Sequence, residues 1–564
     1  MRTPSAATLS RALLLLAAAA ALFVAVASPA AAATARWVTG DIHNHTYLSD
    51  GSSTQGDVVR NAFSVYGLDY LANCDHGGVS KKDAKGLSFE ANVPRWVTLS
   101  NHSFPLVAEY RAAYRERRII QGMEWNAPTH EHVSVGIVGA GNEPKGISDF
   151  EYLFDAADLD LSRAGEGTKA VTDSKTGEVY VPAMPFTKFN STHADMLTAL
   201  DWLQESYGLD SYAIVNHPSR LNLWRVGDFR AMNDAAPDAC FGFEGLPGHQ
   251  ASHARGGYGN LIQADGTTTT DPALADPIMT SHARTYGGAD WMTAAVGGVW
   301  DALLGEGRNW WVFNNSDYHV LDKSHKDAAG NTVGLEYFDF WPGQYAKTFT
   351  RVNGFTTEGI VNGMRSGNAF VVNGDLVNGL RFTVTDAKRT ATMGGTLSTT
   401  AGKSLTVRIA VRSPKTNENF DRVRLHHVDV IAGDVTGRIP AEVEGAPNPA
   451  YDLSDTNPSA RVVRTFSKTK WKVVGGWMTM SFKVKATKDV YFRLRGTNLA
   501  QGATNQTDAQ GNPLIDDLDY IDYPNPKTGG LNPDGSSDLI HGNTPDNAWA
   551  DLWFYANPVF VDVK

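Results

Sequence analysis

Cysteine is nearly absent from this sequence: Cys74 and Cys240 are the only two in 564 residues. Two cysteines hold at most one bridge, so no disulfide framework staples the chain. Both lie in apolar, strand-like runs, where two buried free thiols are the expected state. An excess of positive charge is also missing. Lys and Arg number 50 against 61 Asp and Glu, a formal net charge of -11. That balance argues against a nucleic-acid-binding surface, while leaving room for a local basic pocket. No G-x-S-x-G elbow occurs, which argues against a serine esterase. There is no internal repeat and no coiled-coil heptad. After the first 35 residues no run is apolar enough to span a bilayer.

What is present begins with a leader. Arg2 and Arg11 precede a continuous apolar stretch from Ala12 to Val26, and Ala33-Thr34-Ala35 fits a small-residue cleavage site. Residues 1–35 therefore read as a signal peptide, and the mature protein is expected outside the cell with no transmembrane anchor. The remaining length suffices for two large cores, and 42% hydrophobic with 20% charged residues is ordinary for a globular protein.

From Trp37 to Gly374 short apolar runs alternate with helical patterns. Strands are expected at Trp37 to His43, Asp69 to Cys74, Arg118 to Glu124, His132 to Val138, Tyr212 to Asn216, Cys240 to Glu244 and Trp310 to Asn314. Helices are expected at Gln55 to Tyr66, Phe104 to Arg117, Ala194 to Tyr207 and Asp290 to Leu304. Such alternation implies parallel βα units, and seven of them suggest a closed barrel. Two stretches, Gly141 to Thr192 and Gly245 to Tyr286, read as long rim loops. After Asn378 the texture changes to short strands, with Leu405, Val407, Ile409 and Val411 alternating with polar residues, as in an antiparallel β-sandwich. The expected organisation is an α/β barrel over 36–378 and a β-sandwich over 379–564.

Histidine is unevenly spread: 13 of the 16 lie between His43 and His325. In an extended Asp41-Ile42-His43-Asn44-His45, residues two apart face one side, so His43 and His45 can reach one ion. Asp317-Tyr318-His319 repeats that spacing. Asp75-His76, Glu124 and His217 close further strands, and His132 opens another, with His130 as its rival. Strand ends of a barrel converge on one rim. Buried titratable groups are costly unless paired or metal-bound, so this set points to a metal site. Asp75 reads as a carboxylate orienting a histidine ligand. Arg220 reads either as a clamp for phosphate or carboxylate or as a rim salt bridge. Glu244, His249, His253 and Arg255 cluster after one strand as pocket lining or as a solvated loop. Asp516, Asp517, Asp519 and Asp522 match no EF-hand and read as a solvated acidic loop.

Taken in order, Asp41-Ile42-His43-Asn44-His45-Thr46 with Ser49-Asp50-Gly51, Cys74-Asp75-His76-Gly77, Gly122-Met123-Glu124-Trp125, His132-Val133-Ser134-Val135-Gly136, Asn216-His217-Pro218 and Ser316-Asp317-Tyr318-His319 resemble the motifs of the PHP (polymerase and histidinol phosphatase) superfamily. The resemblance covers roughly residues 37–375, and Arg365 to Phe370 is similar to the stretch that closes such domains. It implies a distorted seven-stranded α/β barrel holding two or three divalent ions. The implied ligands are His43, His45, Asp50, His76, Glu124, His132, His217, Asp317 and His319. His43, His45, Glu124 and Asp317 would hold one ion. Glu124 would bridge to a second at His132 and His217, and Asp50, His76 and His319 would hold a third. An aspartate at position 50 favours Mn or Fe alongside Zn. The final Tyr555 to Val561 is similar to the carbaryl-hydrolase-like branch of the superfamily, which also carries a β-rich C-terminal domain.

Clustered divalent ions lower the pKa of a bridging water to give hydroxide near neutral pH. The leading expectation is therefore an exported phosphoesterase acting on a small-molecule or polymer ester. Hydrolysis of a carbamate, amide or carboxylic ester is the alternative. A non-catalytic, metal-bearing protein that docks a cell-wall polymer is the third. The sequence leaves the oligomeric state open.

Overall fold

The computed structural model describes residues 35–139, 143–164, 188–252, 255–321, 339–516 and 548–564, and the backbone of 171–172, 179–180, 322–326, 332–337, 522–524, 539–541 and 545–547. The expected leader, His253, Asp517, Asp519 and the Asp522 side chain lie outside the described residues.

Seven strands build the N-terminal half: β1 (Arg36–Asp41), β2 (Tyr70–Asn73), β3 (Arg118–Asn126), β4 (His132–Ile137), β5 (Ser211–Val215), β6 (Cys240–Leu246) and β7 (Trp311–Asn314). They lie side by side in chain order. β2, β5, β6 and β7 are buried at every position, as short apolar runs covered on both faces must be. Neighbours pair in parallel except at β4, which is antiparallel to both β3 and β5. Only residues 127–131 separate β3 from β4. That length closes a hairpin but cannot make a crossover, so the expectation of uniformly parallel units fails here. The inversion matters for the site. It pairs His132, the first residue of β4, with Asn126 near the end of β3.

The next strands are β8 (Ala346–Val352), β9 (Ala369–Asn373), β10 (Gly379–Thr385), β11 (Ser404–Arg412), β12 (His427–Asp434), β13 (Arg461–Ser467), β14 (Trp477–Lys485), β15 (Val490–Thr497) and β16 (Trp553–Val563). One mixed sheet runs β7-β6-β5-β4-β3-β2-β1-β8-β9-β16-β15-β12-β13, with Thr396–Thr399 beside β16. The backbone ladder leaves β7 as an edge, and side chains rather than backbone satisfy part of it. Val312 N donates to Asn557 Oδ1 at 3.0 Å, Asn314 N to Thr348 Oγ1 at 2.9 Å, and Asn314 Nδ2 to Val372 O at 2.7 Å. These partners come from β16, β8 and beside β9's end, so the sheet curls until its first edge meets its middle. Side-chain capping of this kind blocks pairing with another chain.

A five-stranded antiparallel sheet of Thr390–Thr392, β10, β11, β14 and Lys472–Val474 faces the C-terminal end of the large one. In β11, Leu405, Val407, Ile409 and Val411 are buried on alternate positions, as expected. They share a core with Val428, Val430, Phe492 and Leu494 of β12 and β15. The chain's last strand, β16, lies between β9 and β15. Buried ion pairs reinforce that join. Arg493 binds Asp301 through two nitrogens, each at 2.7 Å, and Arg255 Nη1 binds Asp551 at 2.7 Å.

The helices cover the N-terminal half. In α3 (the third long helix after Phe104–Ala113 and Glu143–Phe154, here called α1 and α2) residues His193–Tyr207 start at a capping box of Thr192 and Asp195. Met196, Leu200, Leu203 and Tyr207 form its buried stripe, each contributing roughly 1.5–3 kcal/mol of apolar burial. The expected loop from Gly141 opens instead with α2, whose Phe150, Leu153 and Phe154 enter the core. The expected helix Asp290 to Leu304 is broken into Trp291–Ala294 and Val299–Gly305, because Gly297 adopts φ +85° between them. Cys74 and Cys240 are free and buried.

Candidate metal centre

Every one of the nine residues expected as ligands reaches one rim of the curled sheet. Glu124, in β3, is the hub. Its Oε1 lies 2.9 Å from His43 Nε2, 3.1 Å from His132 Nδ1 and 3.4 Å from His217 Nε2. Its Oε2 lies 2.9 Å from His76 Nδ1 and 3.2 Å from His45 Nε2. Asp317 is the second hub, with Oδ1 3.0 Å from His43, 3.2 Å from His45 and 3.4 Å from His319. Asp50 closes the outer side, 3.2 Å from His319 and 3.5 Å from His76.

These contacts are short, yet many are not hydrogen bonds. His45 Nε2, His76 Nδ1, His132 Nδ1, Glu124 Oε2 and Asp317 Oδ1 are buried and make none. Donor atoms fall into groups compact enough to hold an ion. They include His43, His45 and Asp317; His43, Glu124 and His217; His76, Glu124 and His132; and His45, Asp50, His76 and His319. By distance, His217 thus joins His43 and His132 joins His76 around Glu124.

Surrounding polar groups aim these side chains. Glu244 Oε1 lies 2.9 Å from His43 Nδ1, which leaves Nε2 facing Glu124 and Asp317. Glu244 is itself held by Asn315 Nδ2 at 2.7 Å. Asn216 donates to Glu124 Oε1 at 2.7 Å and accepts from Ser134 Oγ at 2.9 Å. His319 Nδ1 lies 2.9 Å from the Asp317 carbonyl, turning Nε2 to Asp50. Asp41 accepts from the backbone of His43 and of Ser316 and so ties the first motif to the last.

The backbone is bent to fit. His217, His249 and Asp317 have φ of 25°, 54° and 46°, in the left-handed region that side chains avoid. Such strain, of order 1–3 kcal/mol per residue, persists where a site over-determines the conformation. Gly248 lets the loop before His249 touch Asp317; a Cβ there would overlap Asp317 and the Ser316 carbonyl.

Electrostatics follow from burial against crowding. Burial alone would raise the Glu124 carboxyl, but the imidazoles of His132, His43 and His76 outweigh it and hold it well below its ordinary value. Asp317 is likewise held low, with His249 and His43 overcoming burial. Burial depresses His132 to about 4 despite Glu124 beside it, which favours the neutral ring that ligation requires. His43 and His45 have fully buried side chains, whereas Asp50 is 58% exposed and His132 is 23% exposed. The mouth of the site is therefore on the Asp50 and His132 side.

Two sequence readings change, those of Arg255 and Asp516. Asp75 orients an imidazole through a hydroxyl: Ser49 Oγ donates to it at 2.7 Å and lies 3.3 Å from His45 Nδ1. It accepts from Thr46 N, Thr46 Oγ1, Ser49 Oγ and Arg95 Nη2, and so fixes the turn behind His45. Glu244, a pocket-lining candidate from sequence, is the carboxylate that orients the His43 ring directly. Arg255 lines no metal pocket; it is buried against Asp551 and the Tyr345 hydroxyl. Asp516 is not a solvated acid, since it accepts from Gly288 N and lies 3.5 Å from Arg255. Arg220 meets its salt-bridge reading. It binds Glu131 at 3.1 Å and stands 3.9 Å from Asp317. Glu131 and Asp339 were not singled out from sequence. Glu131 is brought below its usual range to about 2 as Arg220 and His217 overcome burial. Asp339 binds His249 Nδ1, whose Nε2 lies 2.8 Å from Asp317. Neither had a motif to mark it. His130 is not among the rim groups; its Nε2 lies 3.0 Å from His193 Nδ1.

No protein-family model matches the chain, and no curated protein does. A solved structure from Bacteroides vulgatus, described as a two-domain protein containing a predicted PHP-like metal-dependent phosphoesterase, aligns over 90% of this chain and 95% of its own, with 11% identity and a TM-score of 0.30. No helix among the described residues is long and apolar enough to cross a membrane. Donor-rich His, Asp and Glu side chains converge in this chain into groups able to hold divalent metal ions.

Proposed function

We propose that the protein is a metal-dependent hydrolase of the PHP type, with the curled N-terminal sheet acting as a distorted seven-stranded barrel. One observation carries this reading: five buried donor atoms within the cluster make no hydrogen bond, although each lies near a donor or acceptor of another side chain. Orphaned buried polar atoms are costly, and divalent cations satisfy them together. The donor set of imidazoles and carboxylates suits Mn, Fe or Zn. His43, His45 and Asp317 would hold one ion, Glu124 would serve a second with His43 and His217 or with His76 and His132, and His45, Asp50, His76 and His319 would hold a third. When bound, such ions act as Lewis acids, stabilising developing charge and lowering the pKa of water.

The chain's own residues supply the rest. Glu244 keeps the His43 ring in one tautomer, and Asn216 holds the Glu124 carboxylate in place. Arg220 sits 19% exposed beside Asp317, where its guanidinium can meet an anionic oxygen of a substrate. The outward-facing Asp50, His76 and His319 give room for a third cation, which suits a phosphoryl group with several charged oxygens. We read the substrate as a phosphomonoester or phosphodiester met outside the cell, after removal of the leader.

One observation favours a second reading. Glu131 already offsets the charge of Arg220, which makes the pocket less hungry for anions. A carbamate or carboxylic ester would fit such a pocket. Matched nitrophenyl phosphate, carbamate and acetate esters with Mn²⁺ or Zn²⁺ separate the two. A preference above about tenfold in kcat/KM for a carbonyl ester, equal to about 1.4 kcal/mol, would replace the phosphoester reading.

A further inference from the structure

His130, His193 and Asp228 form a second donor cluster that the reading above does not use. His130 Nε2 lies 3.0 Å from His193 Nδ1. Asp228 Oδ1 lies 3.8 Å from the first nitrogen and 3.6 Å from the second. Donors held ~2.0–2.2 Å from a tetrahedral zinc are ~3.3–3.6 Å apart. The three observed separations bracket that edge. A plain hydrogen-bonded trio would look different, because the carboxylate oxygen stands beyond hydrogen-bond reach of both rings while facing both.

The ring orientations are set from outside. His130 Nδ1 lies 3.0 Å from the Leu223 carbonyl, which can only accept. That contact puts the proton on Nδ1 and leaves the Nε2 lone pair toward His193 and Asp228. Trp224 stacks on the His130 ring at 4.3 Å and 8°, fixing its plane. Asp228 spends its other oxygen on Arg225 N at 2.7 Å, at the start of helix Val226–Ala235 (α4), so Oδ1 is left for the cluster. The His193 side chain is 43% exposed, which opens a fourth position to solvent.

We propose that these three residues bind a divalent transition metal of the zinc class at a site separate from the rim cluster. Such an ion would join three pieces of chain: the β3–β4 turn through His130, the first residue of α3 through His193 and the first turn of α4 through Asp228. The turn also carries Glu131, which holds Arg220 and contacts His217. The ion thus fastens the wall behind that arginine, without touching the rim ligands.

The test uses the full-length apo protein, titrated with Zn²⁺ and then dialysed for elemental analysis. His193→Ala and, separately, Asp228→Asn are each expected to retain one zinc fewer per chain than the wild type. Asparagine can still cap α4, so Asp228→Asn tests the charge without removing the cap. Far-UV circular dichroism of the apo forms checks folding, and if one variant unfolds the other decides. Equal zinc content in wild type and folded variant would overturn the site.

Discussion

Replacing Glu124 by Gln probes the hub of the rim cluster. The amide keeps the shape of the side chain but removes its charge and turns one acceptor into a donor. In the native protein the two oxygens meet five imidazoles at 2.9–3.4 Å in a fully buried setting. Removing one partner from such a buried set costs about 3–5 kcal/mol. If that charge holds cations, the same energy appears as a ~10²–10⁴-fold loss of metal retention, at about 1.4 kcal/mol per tenfold. Turnover should fall at least as far, because the neighbouring rings would lose both the ion and their shared carboxylate. The assay combines elemental analysis after dialysis with initial rates on nitrophenyl phosphate at saturating Mn²⁺. Circular dichroism confirms that the fold persists. A folded Glu124→Gln protein with metal content and kcat within about twofold of wild type would refute the reasoning.

Other outcomes follow from the same geometry. Glu244→Ala should lower metal affinity about 10–100-fold by freeing the His43 ring, measured by competition with a chelating dye; unchanged affinity would show that Glu244 orients nothing. Arg220→Ala should reduce kcat/KM more for a phosphate ester than for an acetate ester, and an equal loss on both would assign it to the Glu131 salt bridge alone. Ligation needs neutral imidazole, and despite burial Asp317 and Glu124 hold His43 and His45 above their ordinary value, so acidification from above about pH 6.5 should release ions and shrink the difference in Tm between metal-loaded and apo protein; a difference unchanged from pH 8 to pH 5 would contradict histidine ligation. Asp301→Ala leaves Arg493 buried without its partner and should destabilise by about 3–5 kcal/mol, seen by calorimetry as one earlier transition; a negligible shift in Tm would show that the pair does not tie the halves together.

Strand positions were legible because burial on both faces demands continuous apolar runs, and β11 was legible from its period of two. The inverted direction of β4 was hidden. Periodicity carries no strand direction, although the five-residue gap after Asn126 held the clue. β8 and β13 escaped because Thr, Lys and Arg interrupt their apolar pattern. The rim residues were readable from paired spacings such as His43 with His45 and Asp317 with His319. Glu131 and Asp339 act by distance across the fold, Asp339 90 positions from the histidine it touches, so no local pattern reveals them; Glu244 was readable as pocket lining, but not as the partner of His43, 201 positions away. Asp75 was readable as an orienting carboxylate, but not which ring it serves: it adjoins His76 in sequence and reaches His45 through Ser49.

We propose that the rim cluster is a multi-metal centre. Elemental analysis of the reconstituted His193→Ala protein tests it most directly, since that background removes the proposed outer site. About two to three divalent ions per chain are expected, falling by about one when Asp317→Ala is added. Fewer than about one ion per chain in the folded, fully reconstituted His193→Ala protein would contradict it.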